Sequence, residues 1–400
     1  MISKIFHRPC PICDNLSGRI IHSQKFALAD GNPLPCETDY VACVKCGFCF
    51  ADTTASQSTY DLYYAAMSKY ADSATSTGSG QFPWDAARLA NLANQVAEFA
   101  PLRTSRLLDV GCANGGLLSA LRDIGYSNIC GIDPSPACVE AAHDVRAGDV
   151  WTGTLSGLPE EIGTFDGILI SHVMEHVRDL SSAMFRLREK LKPGGWIYIE
   201  VPDASRYADF LVAPFQDFNT EHINHFSSAG LANLCRACGF APELEGTKDI
   251  FSAKDVPYPA VFCFARASDL PQEIVRDYEL PLALTKYADL SRTMMDLIDR
   301  QIRDHLTRHP SIIVWGVGQL TMKLLSDTCL GEAQIEAFVD GNPINHGKTL
   351  YDHTIRDGSD LVSSRTPILV CSLINSEAIA ASILDIGFTN PILTLTQKNS

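Results

Sequence analysis

Runs of apolar residues that end in glycine-rich or polar turns recur along this chain of 400 residues and predict alternating strands and helices. The clearest run predicts a strand over 106–110, a turn over 111–116 and an amphipathic helix over 117–124. Further strands are predicted over 128–132, 167–171 and 196–201, and further helices over 86–99, 136–142 and 228–238. This alternation predicts an α/β fold whose parallel sheet binds ligands at the carboxyl ends of its strands.

A second strand–turn–helix pattern begins at residue 311 and predicts a second, Rossmann-like domain. Residues 311–318 form an apolar run that ends in a turn containing Gly316 and Gly318. Further apolar strands are predicted over 335–339 and 366–371. Because Thr321 stands where a dinucleotide-binding turn has its third glycine, binding of a whole dinucleotide is disfavoured. A structural or substrate-docking role is at least as consistent with the pattern as a second cofactor site.

The length favours two or three domains, because 400 residues exceed one ordinary core. The apolar fraction of 46% and the charged fraction of 20% are typical of a globular protein. The predicted segments are an N-terminal domain over 1–70, a core domain over 71–266, a helical connector over 267–309 and a C-terminal domain over 310–400. A stretch rich in Ser, Thr and Gly over 73–80 is either a linker or a lid over the core domain.

The net charge of −15 disfavours a general nucleic-acid-binding protein, which needs a basic face. It leaves room for an anionic small molecule held by a local basic pocket. No apolar run reaches membrane-spanning length, and the first residues do not resemble a signal peptide. We therefore expect a cytoplasmic protein with a small-molecule substrate and neither a nucleic acid nor a membrane as partner.

Two Cys-x-x-Cys pairs near the N-terminus predict a structural zinc site. Cys10 and Cys13 form one pair, and Cys43 and Cys46 form the other. Four thiolates around Zn²⁺ stabilise a segment too small to bury a large core, and they leave no open position for catalysis. Of the neighbouring cysteines, Cys49 is the more probable replacement if one ligand is misassigned, and six free thiols in a loop-rich cap are the alternative.

Four features in a fixed order resemble the class I S-adenosylmethionine (SAM) methyltransferases. They are the LLDVGCANGG run over 107–116 with Asp133 after the next predicted strand, the TFDGILI run over 164–170, the Glu175–His176–Val177 segment and the LKPGGWIYI run over 191–199. The resemblance implies an α/β, Rossmann-like core with SAM as cofactor. The residues it assigns to SAM are Asp109, Gly111, Asn114, Gly115, Asp133, Pro134, Thr154 and Ser171.

Residues 220–227 carry the strongest catalytic signal outside the cofactor turn. Glu221, His222 and His225 follow the last core strand in an aromatic setting, where a carboxylate can orient a histidine base. Histidine needs little tuning for this role, because its ordinary pKa lies near neutrality. The alternative is that Glu221 and His222 cap a helix that begins near Ser227. Metal binding by His222 and His225 is disfavoured, since no third ligand is evident.

Two other patterns match known motifs but receive structural interpretations. His172, Glu175 and His176 match an inverted zinc-protease pattern, yet they follow a predicted methyltransferase strand, where a Glu–His pair commonly starts a helix. Cys235 and Cys238 lack a second pair and are interpreted as core-facing thiols one helical turn apart. Neither pattern is assigned to a metal.

The domain order as a whole resembles the sugar C-methyltransferases, which methylate nucleotide-linked keto-deoxysugars. That resemblance covers the four-cysteine domain, the SAM-binding core with its Glu–His pair and the C-terminal Rossmann-like domain. It implies that Glu221 or His222 removes the proton alpha to the ketone. It also implies a catalytic tyrosine after the zinc domain, for which the candidates are Tyr63, Tyr64 and Tyr70, with Tyr64 preferred.

The resemblance implies carbon–carbon bond formation through an enolate. A base removes the alpha proton, the tyrosine or His225 stabilises the enolate oxygen, and the enolate carbon attacks the methyl group of SAM. An O- or N-methyltransferase acting on a sugar or a small metabolite is one alternative. A non-catalytic SAM-fold binding protein is another, although Asp109, Gly111 and Asp133 are all present. An RNA methyltransferase is disfavoured by the acidic charge.

Overall fold

The computed structural model describes residues 3–67, 78–144, 148–270 and 272–396. Tyr70 and most of the predicted linker or lid therefore lie outside the described residues. The chain forms two compact units. Unit 1 comprises Met1–Ile20, Val41–Phe210 and Glu221–Ala283, and unit 2 comprises Ile21–Tyr40, Leu211–Thr220 and Leu284–Ser400. Among the described helices, none combines the length and the apolar character that crossing a membrane requires.

Unit 1 contains twelve described strands, two of which continue into unit 2, and six described helices. The strands are β1 Ser3–Ile5, β2 Ser17–Lys25, β3 Glu37–Cys43, β4 Cys49–Ala51, β5 Leu107–Val110, β6 Ile129–Asp133, β7 Asp149–Thr152, β8 Phe165–Ser171, β9 Leu191–Pro202, β10 Asn224–His225, β11 Phe240–Ala253 and β12 Val256–Ala267. The helices are α1 Gln57–Met67, α2 Pro83–Phe99, α3 Gly116–Asp123, α4 Pro136–Asp144, α5 Leu180–Glu189 and α6 Ser228–Ala237. The strands and helices predicted for the core domain all form, with ends shifted by a few residues.

The central sheet has seven strands in the order β11-β12-β9-β8-β5-β6-β7. The five strands from β7 to β9 are parallel, as predicted. The last two correct the expectation of a wholly parallel sheet, because β12 runs antiparallel to β9 and β11 runs antiparallel to β12. The reason is local: only a tight turn, with Asp255 at φ +59°, joins β11 to β12. Parallel neighbours would need a long crossover.

Both faces of the central sheet are buried, which explains why its strands are almost continuously apolar. In β8, Ile168 and Ile170 belong to the core shared with α5 and α6. Leu169, between them, belongs to the core shared with α2 and α3. Each fully buried side chain of this kind stabilises the fold by about 1.5–3 kcal/mol relative to leaving it exposed. Because successive side chains pack into the cores on opposite faces of the sheet, the carboxyl ends of the central strands are held in fixed positions.

A second sheet in the order β1-β2-β3-β4-β10 carries the cysteine pairs. Its last strand, β10, pairs antiparallel with β4, so that Asn224 lies opposite Phe50 and His225 opposite Cys49. The backbone N–H of Ala51 also donates to the carbonyl of Ile223 at 2.9 Å. These bonds fix the chain on the C-terminal side of Glu221 and His222.

Unit 2 contains the second strand–turn–helix pattern. Its elements are α7 Glu279–Arg308, which begins in unit 1, β13 Ser311–Trp315, α8 Gln319–Asp327, β14 Gln334–Val339, β15 Thr349–Leu350, β16 His353–Thr354, β17 Ile368–Val370, α9 Ser376–Ile386 and β18 Ile392–Thr394. The strands β14-β13-β17-β18 form a parallel sheet, as a Rossmann-like domain requires. The connector is helical only from Glu279, and the preceding described residues have no regular structure.

Candidate functional site

The turn after β5 has a backbone that depends on glycine. Gly111 has φ +74°, and a Cβ added there would lie 2.5 Å from Cγ2 of Val173. Ala113 and Gly115 also have positive φ values, of +45° and +79°. A left-handed conformation is strained for residues with a side chain. The sequence of this turn therefore permits a loop that wraps closely around the carboxyl end of β5.

Two buried carboxylates flank this turn. Asp133, at the end of β6, accepts hydrogen bonds from the N–H of Ala113 at 3.0 Å and of Ser135 at 2.9 Å. Asp109 lies in β5 and is only 4% exposed. Burial and the neighbouring Asp133 raise the pKa of Asp109 to about 7, although Arg88 opposes the shift. Two carboxylates in so little water favour a positively charged ligand, and SAM carries a sulfonium and an ammonium group.

The remaining residues assigned to SAM lie along the same edge of the sheet. Asn114 is buried within the turn, and Gly115 precedes the first turn of α3. Pro134 follows Asp133, and Thr154 follows β7 with its hydroxyl 2.8 Å from that of Ser156. Ser171 ends β8 and donates to Glu200 at 3.3 Å. The structure thus brings the eight predicted residues to the carboxyl ends of β5, β6, β7 and β8.

Helix α1 lies across this edge. The side chain of Gln57 accepts the N–H of Asp179, in the loop after β8, at 3.0 Å. One turn further along, Asp61 accepts a hydrogen bond from Ser156, in the loop after β7. Because α1 contacts both loops, it carries Tyr63 and Tyr64 to the same edge as the predicted cofactor residues.

Five side chains meet next to α1, and we call them the acid–base cluster: Tyr63, Tyr64, His176, Glu221 and His222. The hydroxyl of Tyr63 donates to the carboxylate of Glu221 at 3.3 Å. Nδ1 of His176 lies 2.9 Å from the hydroxyl of Tyr64 and 3.0 Å from the carbonyl oxygen of Glu221. The rings of His176 and His222 meet edge to face, with centroids 5.0 Å apart. Three of the four residues predicted as catalytic are therefore neighbours.

His225, the fourth, lies elsewhere. It is fully buried, with its ring edge-on to Tyr207 at 6.0 Å, and burial followed by the charge of Arg8 lowers its pKa to about 3. The catalytic role of His225 stays a prediction. The helix-cap alternative for Glu221 and His222 is wrong, because the hydroxyl of Ser227 caps α6 by accepting the N–H of Gly230.

Sequence reasoning missed Glu175 and His176 as residues of the site. They lie in a short 3₁₀ turn, Met174–His176, and the next α-helix begins only at Leu180. They are 1% and 9% exposed. The available signal was their position directly after a central strand, where an α/β sheet binds ligands.

His172 adds a positive charge to this edge. Burial opposes its charged form, but Glu175 and Glu200, each 3.3 Å from one ring nitrogen, outweigh burial and raise its pKa to about 9. Its backbone has φ +55°, a strained value for a residue with a side chain. His172 is therefore protonated at neutral pH and fixes the orientation of both carboxylates.

The four predicted zinc ligands also meet. Sγ of Cys10 lies 3.5 Å from Sγ of Cys46, and Sγ of Cys13 lies 3.6 Å from Sγ of Cys43. A tetrahedral Zn²⁺ with bonds of about 2.3 Å separates its sulfurs by about 3.8 Å, so the cluster fits this ion. The backbone N–H of Lys45 donates to Sγ of Cys43 at 3.4 Å. Hydrogen bonds of this kind commonly orient the thiolate ligands of a metal site. Cys49 bonds instead to the carbonyl of Gly47.

Comparison with known proteins agrees with this geometry. Residues 84–245 match the family model of a methyltransferase domain. A ubiquinone biosynthesis O-methyltransferase of Sinorhizobium medicae is 30% identical over 166 residues, which are 37% of this chain and 64% of the relative. A tRNA U34 carboxymethyltransferase of Cellvibrio japonicus is 33% identical over 112 residues, or 26% of this chain and 35% of the relative.

One similar structure is that of the 1,6-didemethyltoxoflavin-N1-methyltransferase of Burkholderia thailandensis with bound S-adenosylhomocysteine. It is 19% identical, with a TM-score of 0.40, and the match covers 56% of this chain and 98% of the other. The chain spans between 35% and 68% of the length of the first curated relatives that it matches. The sequence matches and the α/β sheet with its glycine turn therefore support a class I SAM-dependent methyltransferase domain in this chain.

Proposed function

We propose that this protein is a SAM-dependent enzyme that C-methylates a nucleotide-linked keto-deoxysugar through an enolate. The acid–base cluster is the single observation that carries the proposal. It joins a carboxylate, two imidazoles and two phenols at the edge that holds the predicted SAM residues. Methylation of a carbon next to a ketone needs such groups, since the carbon becomes nucleophilic only after it loses a proton.

The cluster suggests a role for each member. Glu221 and His222 supply the base, and Tyr63 holds the carboxylate of Glu221 in place. Tyr64 is better placed than His225 to donate a hydrogen bond to the enolate oxygen, because it lies in the cluster and His225 does not. SAM supplies the methyl group, and the protein supplies orientation and the proton acceptor.

We further propose that Cys10, Cys13, Cys43 and Cys46 bind a structural Zn²⁺. The neighbouring thiols raise the pKa of Cys10 and lower that of Cys43, since four thiols so close cannot all ionise without a cation. Four sulfur ligands would fill the coordination sphere, so the ion would stabilise the second sheet and take no part in methyl transfer.

Methylation of a hydroxyl or an amine is the second candidate. The names of the relatives favour it, because several are ubiquinone biosynthesis O-methyltransferases. The same base could take a proton from a hydroxyl group. The two candidates differ in one measurable property, the exchange of a carbon-bound hydrogen.

The test is hydrogen exchange in heavy water. The protein with bound S-adenosylhomocysteine is incubated with a panel of nucleotide-linked keto-deoxysugars, and deuterium is located by NMR and mass spectrometry. We expect deuterium at a carbon next to the ketone, a rate at least 100-fold lower in Glu221→Gln or His222→Asn, and an unchanged rate in His143→Gln, which alters an exposed histidine of α4. Methyl transfer to a hydroxyl or amine without exchange on any ketone would replace this proposal by the second candidate.

A further inference from the structure

Glu175, His176 and His222 bring three metal-binding atoms together. A carboxylate oxygen and one nitrogen from each imidazole all lie within 4.8 Å of one another. The sequence patterns do not predict this group, because they connect Glu175 and His176 with His172 and connect His222 with Glu221 and His225. The fold supplies the third ligand by bringing the two segments side by side.

The hydrogen bonds of His176 orient the ring for a metal. Nδ1 lies 3.0 Å from the carbonyl oxygen of Glu221, which can only accept, and 2.9 Å from the hydroxyl of Tyr64, which can accept as well, so both contacts are consistent with a proton on Nδ1. In the neutral ring the lone pair is then on Nε2, which points toward Oε1 of Glu175 at 3.9 Å. A histidine that donates one N–H to a backbone carbonyl and turns the other nitrogen toward a carboxylate has the arrangement typical of a metal ligand.

Glu175 supplies an oxygen that no other described group satisfies. The side chain is 1% exposed, and its Oε1 lies 3.3 Å from Nδ1 of His172. Its Oε2 is buried and has no hydrogen-bond partner among the described residues. An unpaired carboxylate oxygen removed from water is costly, and a cation between Glu175 and the two imidazoles would remove that cost.

We propose that Glu175, His176 and His222 bind a first-row divalent cation, at a site separate from the cysteine cluster. Two imidazoles and one carboxylate suit Fe²⁺, Co²⁺ or Zn²⁺, and three protein ligands leave positions open for an oxygen of the substrate. Resting on the proposed function, the site would place the cation near the ketone oxygen. His222 is then a ligand, and Glu221 takes the alpha proton while the electron pair of the C–H bond forms the enolate.

The test is a Co²⁺ titration of the full-length protein already loaded with one equivalent of Zn²⁺. We expect one equivalent of Co²⁺ to bind, with visible bands of nitrogen and oxygen coordination and without thiolate charge transfer. Glu175→Gln and His222→Asn should each weaken Co²⁺ binding at least 10-fold. Glu221→Gln is the matched control, because it neutralises a neighbouring carboxylate outside the ligand set, and its Co²⁺ affinity should stay within 3-fold of wild type. Unchanged zinc content and SAM affinity check that each variant folds.

Failure of the cation site and failure of the proposed function give different results. No Co²⁺ bound beyond the zinc, or binding equal in wild type, Glu175→Gln and His222→Asn, would overturn the cation site. Cation binding that depends on these residues, without hydrogen exchange on any ketone, would leave the site standing and reject C-methylation. Hydrogen exchange on a ketone without Co²⁺ binding would reject the cation site and leave C-methylation standing.

Discussion

The two strand–turn–helix patterns of this chain have the same hydrogen bonds but different buried residues. In unit 1, Asp133 accepts the N–H of Ala113 in the turn and of Ser135 two residues further on. In unit 2, Asp340 follows β14 and accepts the N–H of Val317 in the turn and of Asn342, each at 2.7 Å. An aspartate after the second strand that ties down the first turn is therefore a property of the fold and is not by itself evidence of a ligand.

The difference lies in the strand before the turn. The penultimate residue of β5 is Asp109, whereas the penultimate residue of β13 is Val314, and both are buried. Burying a carboxylate destabilises a fold, so such a residue is retained where a ligand needs it. In unit 2 the side chain of the buried Thr321 packs against the turn, and its hydroxyl donates a hydrogen bond to the carbonyl of Gly316. The buried carboxylate is thus the difference between the turn for which a cofactor is predicted and the turn of unit 2.

The largest expected effect concerns Asp109 and pH. Its pKa of about 7 lies above the ordinary value of 3.8, so between these pH values the folded protein holds a proton that the unfolded chain has lost. The stability of the ligand-free protein should therefore fall as the pH rises from about 4 to about 7, by up to about 4 kcal/mol. Asp109→Asn should remove this loss, which chemical denaturation at several pH values measures. A variant no more stable than wild type at pH 8 would contradict the argument.

Substituting alanine for one glycine in each turn tests how closely other atoms pack against that turn. At Gly111 an added methyl group meets Val173 at 2.5 Å and the backbone has positive φ, so we expect a loss of about 2–4 kcal/mol. At Gly316 φ is +93°, but the nearest atom lies 3.8 Å away, so only the backbone strain of about 1 kcal/mol remains. Denaturation curves of the two variants measure the difference. Equal losses would mean that Val173 moves aside freely.

The two aspartates that tie down the turns give a test of binding. Asp133→Asn should lower the affinity for SAM about 10- to 100-fold, since hydrogen bonds to a charged group contribute about 1.5–3 kcal/mol. Asp340→Asn, with the same backbone contacts in unit 2, should leave the affinity within 2-fold. Isothermal titration calorimetry with SAM measures both. A comparable loss in the second variant would show that unit 2 contributes to SAM binding.

The sequence predicted the central sheet well because its strands are buried on both faces and flanked by glycine turns. Leu107–Val110 and Ile129–Asp133 were found to within one residue at each end. The hairpin β11–β12 was missed, because much of β11 is exposed and lacks the apolar run that identified the others. The division into four segments at residues 70, 266 and 309 stays a prediction.

The candidate site was predictable only in part. Glu221 and His222 stand out as neighbours in the sequence, but nothing local reveals that Tyr63 contacts Glu221 or that His176 lies beside His222. Those contacts depend on the pairing of β10 with β4 and on the path of α1, which are tertiary features. The residue type of His225 predicts catalysis, but the sequence does not reveal that its place in β10 buries the side chain completely.

The smallest expected effect concerns Thr321, which occupies the place of the third glycine in unit 2. Thr321→Val keeps the shape of the side chain but removes the hydrogen bond to Gly316, so we expect a loss of about 1 kcal/mol. Thr321→Ser is the matched control, since it keeps the hydroxyl and loses only a methyl group. Denaturation followed by tryptophan fluorescence, together with SAM titration, tests both variants. SAM affinity should be unchanged in each, because a residue that fills a turn stabilises unit 2 without holding the ligand of unit 1. A change in SAM affinity would mean that the filled turn also affects the cofactor site.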